Sequence, residues 1–124
     1  MWFVEDDARV RAVSGRMLSH LGFQVVEFAS GEEALAWVEQ TDQWPAFAVV
    51  DALMPGIDGL ATIAALREHL TEMPALLCSG YREADEGLHL PVGVRFLAKP
   101  FSIEQLEDAV AALLEVSKTH ALGG

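Results

Sequence analysis

Five polar side chains each follow directly on a short apolar run. Glu5 and Asp6 come after Trp2 to Val4, Asp51 after Ala46 to Val50, Ser79 after Ala75 to Cys78, and Lys99 after Val94 to Ala98. If the runs are neighbouring strands, three carboxylates converge into an oxygen-rich site that suits a hard divalent cation. Mg2+ is the first choice, with Mn2+ as a substitute. Mg2+ keeps several waters and uses one or two carboxylates plus a phosphate oxygen, so one carboxylate stays free to react. Asp51, isolated on the middle run, is the candidate nucleophile. Its attack on phosphorus would give an acyl phosphate, and the charge developing on the phosphoryl oxygens calls for a cation and a hydroxyl donor beside the metal. Lys99 and Ser79 are those groups; the only other lysine is Lys118.

The elements that must position these residues can be read from the same chain. Short apolar runs alternate with stretches of helical period, the pattern of a parallel sheet covered by helices on both faces. Val10, Val13, Met17, Leu18 and Leu21 mark one helix face, closed by Gly22, and Gln24 to Phe28 reads as a strand. Ser30 with Glu33 has capping-box spacing ahead of Ala34, Leu35 and Val38. After the strand Ala46 to Val50, Met54-Pro55-Gly56 makes a loop, and Asp58 caps a helix carrying Leu60, Ile63, Ala64 and Leu70. Ala75 to Cys78 and Val94 to Ala98 are the last two strands. Tyr81 to Gly93 is limited by Gly87 and Pro91 to a turn or two of helix, expected to be short and mobile. Ser102 with Gln105 forms a second capping box before Ile103, Leu106, Val110, Leu113 and Leu114. Residues 118–124 lack periodicity and are expected as a disordered tail, leaving residues 1–117 as one domain.

Composition narrows the function classes. A chain of 124 residues has room for one ordinary core. Its 8 basic and 19 acidic side chains give a formal charge of −11 with no run of Lys or Arg, which disfavours direct contact with nucleic acid or anionic membrane. A single cysteine, Cys78 in an apolar run, rules out an internal disulfide and reads as a small buried hydrophobe. With no signal-like start and no apolar run of spanning length, a cytoplasmic location is expected. His20, His69, His89 and His120 have no ligand spacing and read as surface residues; Trp37 and Trp44 read as cover for the core.

In order and at fitting intervals, four segments resemble the receiver domains of two-component response regulators. They are the acidic pair in Phe3-Val4-Glu5-Asp6-Asp7, the phosphoacceptor segment Asp51-Ala52-Leu53-Met54-Pro55-Gly56-Ile57-Asp58-Gly59-Leu60, the hydroxyl position in Leu77-Cys78-Ser79-Gly80, and the lysine segment Phe96-Leu97-Ala98-Lys99-Pro100-Phe101. Each alone is weak, and together they cover nearly the whole chain. The resemblance implies a doubly wound five-stranded parallel sheet of order 2-1-3-4-5. It implies Mg2+ on Asp6, Asp51 and the Leu53 backbone carbonyl, with Glu5 acting through metal-bound water. It further implies a phosphoryl group received from a sensor histidine kinase or a histidine phosphotransfer protein, Lys99 paired with phosphorylated Asp51, and Ser79 and Phe96 as switch residues that alter affinity for a downstream output domain or protein. A cis Lys99-Pro100 bond is part of the same pattern. Ser79-Gly80-Tyr81 resembles receivers attached to hybrid sensor kinases.

Two departures carry consequences. Leu53 stands where many relatives place a polar side chain that aligns the hydrolytic water, so slow loss of the phosphoryl group is expected. The segment after Tyr81 is abbreviated relative to the usual fourth helix of the family. Rival readings stay in view. A haloacid dehalogenase-type hydrolase needs a second acid where Leu53 stands, and a flavodoxin-like carrier needs a hydroxyl- and glycine-rich loop where Glu5, Asp6 and Asp7 stand. A pseudo-receiver that only docks partners is separated by chemistry alone. Among the single residues, Asp7 alone would suffice to cap the first helix, Ser79 can be a plain turn hydroxyl, and Phe96 can be ordinary core.

Overall fold

The computed structural model describes residues 1–80 and 90–123, with side chains in the last helix up to Glu115. The elements run β1 (Trp2–Val4), α1 (Ala8–His20), β2 (Val26–Phe28), α2 (Gly31–Val38), β3 (Ala48–Asp51), α3 (Gly59–His69), β4 (Ala75–Ser79), β5 (Val94–Ala98) and α4 (Ile103–Gly123). All strand pairs are parallel, in the order β2-β1-β3-β4-β5. The expected doubly wound architecture and strand order are therefore observed.

Alternation along the strands divides the core between two faces. Trp2, Val4, Ala48, Val50, Ala75 and Leu77 pack with Ala34 and Val38 of α2 and Ile63 and Leu66 of α3. Phe3, Val49, Leu76 and Cys78 point the other way, against Leu18 of α1 and Leu106, Val110 and Leu113 of α4. The near-continuous apolar strands follow from this double cover.

Helix starts are held by the residues that the sequence singles out. Asp7 accepts from the amides of Arg9 (2.9 Å) and Val10 (3.1 Å), and Asp58 Oδ1 accepts from Ala61 (2.8 Å). Ser30 Oγ accepts from the Glu33 amide at 3.1 Å. At Ser102 and Gln105 both reciprocal bonds form, at 2.8 and 3.1 Å.

Several expectations are adjusted. The second strand starts at Val26, two residues later than expected, and the third runs Ala48–Asp51, so Asp51 is itself the last strand residue. On α1, Ser14, Gly15 and Leu18 face the sheet, while Val13 is exposed. A Cβ on Gly15 would meet the Glu27 carboxylate, so the glycine leaves that side chain room against the helix. Trp37 and Trp44 are exposed rather than core cover, while Ala34 and Val38 are the α2 residues buried in the core. His20 and His69 are exposed as expected. The helix α4 continues over residues 118–123, where the sequence reading places a tail, because neither Gly nor Pro interrupts it before Gly123. The expected short helix after Tyr81 falls at 81–89, outside the described residues, as do His89 and the side chain of His120.

Candidate phosphoryl-acceptor site

Parallel pairing brings the carboxyl ends of the strands to one edge of the sheet, where open α/β sheets bind their ligands. Asp51 closes β3 and is in register with Cys78, one residue before Ser79 at the end of β4. Glu5 follows β1 directly and Lys99 follows β5 directly, just before the cis Lys99-Pro100 bond. Glu5, Asp51 and Ser79 are all buried; Asp6 is exposed.

The ammonium of Lys99 joins the two buried acids. Its Nζ donates to Glu5 Oε1 at 2.7 Å and to Asp51 Oδ1 at 3.0 Å. The other oxygen of Glu5, Oε2, accepts from the Asp7 amide at 3.1 Å, and the Glu5 carbonyl accepts from Arg11 Nη1 at 2.7 Å. Arg11 also lies 3.8 Å from Glu27 on β2, so it ties the loop after β1 to the sheet edge. Glu5, 1% exposed, is thus no solvated helix cap, and Asp7 does the capping alone.

Burial raises the pKa of Glu5 above the ordinary carboxylate value, opposed by its bonds to Lys99 and the Asp7 amide. Burial alone would lower that of Lys99, but its hydrogen bonds to Glu5 and Asp51 and their charges hold it above the ordinary lysine value. Lys99 therefore stays a cation across the physiological range. Hydrogen bonds from the Val10 and Arg9 amides lower the pKa of Asp7.

One carboxylate oxygen each from Glu5, Asp6 and Asp51 lie within 4.8 Å of one another. Three carboxylates beside one ammonium leave a net negative, all-oxygen donor set, which fits a hard divalent cation. Leu53 lies two residues beyond Asp51 with its side chain 55% exposed. Phe96 is half-buried on β5 in register with Leu77. A groove lined by Val10, Val13, Met17 and Phe101 opens beside Lys99. The sequence reading missed Arg11 and Glu32, whose roles depend on contacts across the fold; Glu32 binds the Ile57 amide in the loop after β3.

Strand order, acidic edge and bridging lysine define a signalling phosphoacceptor fold, and the comparisons agree. The family model for the response regulator receiver domain matches residues 1–111. The chain belongs to this family, the receiver domains of two-component systems. It is 37% identical over 114 residues to the sensor kinase CckA of Brucella abortus, a match covering 90% of this chain and 12% of the kinase. Its fold superposes on a solved receiver domain of the hybrid histidine kinase CckA with a TM-score of 0.78 and 37% identity, covering 91% of this chain and 96% of that one. A receiver domain of the sensor histidine kinase PA1611 of Pseudomonas aeruginosa, with a magnesium ion coordinated in its active site cleft, gives a TM-score of 0.79 at 25% identity. That match covers 92% and 95% of the two chains. Among the described residues no helix is long and apolar enough to cross a membrane.

Proposed function

We propose that Asp51 is the phosphoacceptor and that Lys99, Ser79, Glu5 and Asp6 assemble the site around it. The observation that carries this reading is the Lys99 ammonium, which bridges buried Glu5 and Asp51 at 2.7 and 3.0 Å. A carboxylate oxygen of Asp51 attacks the phosphorus of a phosphohistidine on a sensor histidine kinase or histidine phosphotransfer protein. The P–N bond breaks, and its electron pair stays on the imidazole. Mg2+, or Mn2+ in its place, would be held by Asp6, Asp51 and the Leu53 carbonyl, with Glu5 through water, and would neutralise charge on the phosphoryl oxygens. Lys99 is already cationic and oriented, so it can hold a phosphoryl oxygen without reorganisation. Ser79, on the neighbouring strand end, offers its hydroxyl to another.

Phosphorylation then shifts the population between two conformations, with Ser79 and Phe96 as the residues that move, and so changes affinity for an output domain or protein. The domain accelerates its own phosphorylation and slow dephosphorylation but turns over no separate substrate. Leu53 leaves a hydrolase without its general acid.

Intact mass after incubation with a small phosphodonor and Mg2+ tests the proposal. A single phosphate-sized increment is expected in the parent and none in Asp51→Asn. An unmodified parent would put the docking-only reading in front.

A further inference from the structure

The loop between Asp51 and α3 carries the part of the site contributed by backbone, and its anchoring is uneven. At the near end the Ala52 amide donates to Cys78 O at 2.7 Å, and Ala52 O accepts from the Gly59 amide at 3.0 Å. The Met54 side chain is buried in the core, while Leu53 and Pro55 are exposed. The far end is held from a different helix. Glu32, in the first turn of α2, accepts the Ile57 amide on Oε2 at 3.0 Å, across 25 residues of sequence.

Glycines on both sides bring these parts together. Gly56 has φ +77°, and a Cβ there would collide with the Glu32 carboxylate. A Cβ on Gly31 would strike Thr62 Oγ1 and come within 2.6 Å of Ile57 Cγ2. The start of α2 is therefore seated directly on the loop. Leu53 lies between the pins at Ala52 and Ile57, so the reach of its carbonyl depends on both.

We propose that Glu32 is a positioning residue: its carboxylate latches the loop after Asp51 and thereby sets how strongly the Leu53 carbonyl contributes to divalent-cation binding. This rests on the metal ligands assigned above. A latch acts through reach, and a bare charge acts through distance, so two substitutions separate them. Glu32→Gln keeps an acceptor oxygen at the same length and loses the charge. Glu32→Asp keeps the charge and withdraws the oxygen by one methylene.

The test is a Mg2+ titration followed by amide chemical shifts, without phosphodonor, together with hydrogen exchange at the Ile57 amide. Glu32→Asp and Glu32→Ala are expected to bind Mg2+ about 3- to 10-fold more weakly and to exchange Ile57 faster, the scale of losing one charge-assisted bond. Glu32→Gln is expected to stay within about twofold of the parent, because its neutral oxygen still accepts the amide. Parental affinity in Glu32→Asp, or weakening in Glu32→Gln equal to that in Glu32→Ala, overturns the latch. A parent that gives no Mg2+ shifts overturns it together with the metal assignment. If the Mg2+ pattern holds but the parent takes no phosphate, the Asp51 reading falls and the latch stands. If the parent is phosphorylated and the variants bind Mg2+ alike, the reverse is true.

Discussion

The position of Leu53 bears on how long the proposed acyl phosphate on Asp51 would last. Its exposed apolar side chain stands two residues past Asp51 and can neither donate to nor accept from an attacking water. Leu53→Asn should therefore shorten the lifetime of the Asp51 acyl phosphate severalfold at equal Mg2+, measured by loss of the phosphorylated mass after donor removal. An equal or longer lifetime would show that water is excluded by something else. The residues that gather at the strand ends were legible in the sequence because each stands directly after an apolar run. What remained hidden was partner choice: that Lys99 reaches Glu5 as well as Asp51 follows from how β5 lies in the sheet, over separations of 94 and 48 residues. Glu32 gave no sign beyond being an acid in a helix's first turn, where such residues are common.

Among the elements, α3 begins against the backbone of Asp51. Its first residue, Gly59, packs against the carbonyl of Asp51 and lies so close that a Cβ would meet that oxygen, 2.8 Å from both Ala52 Cα and Leu77 Cδ1. Gly59→Ala must push the backbone of Asp51 aside. We expect a loss of about 1–3 kcal/mol in urea unfolding, on the scale of core overpacking, and a slower rate of phosphorylation. Asp58→Ala, which removes only the Ala61 cap, should cost about 1 kcal/mol and leave the rate near parental. A rate in Gly59→Ala equal to that of Asp58→Ala would show that the close approach has no bearing on the site. Helix and strand identities were legible from period and caps. Boundaries and facing were not: Val13 sits on the apolar period of α1 yet is exposed, while Ser14 and Gly15 face the sheet, because facing is set by contacts between elements that the period of one helix does not encode.

For the whole molecule, stability at high pH reports on the core. Burial pushes the Cys78 thiol up to about 12 from its ordinary 9.0. A group whose pKa is raised by folding contributes stability that is complete below the unfolded value and declines as pH rises toward the folded one. Urea stability should therefore fall between about pH 9 and 12, and the slope should be shallower in Cys78→Ala. The raised pKa of Lys99 acts in the same direction from its ordinary 10.5 upward, so the variant isolates the thiol's share. The native thiol should resist iodoacetamide at pH 8 and react once unfolded; ready alkylation of the folded protein would contradict its burial. The doubly wound order itself was legible from the alternation of runs and the four motifs together, since no single motif identifies it.

The ammonium that joins Glu5 to Asp51 stands just beyond the last strand, at the edge of the sheet. A nascent chain leaving the ribosome exposes both acids long before it exposes Lys99. The bridge between the two acids therefore closes only after β5 has added itself to β4, so the last strand to be made completes the cluster that the earlier ones begin.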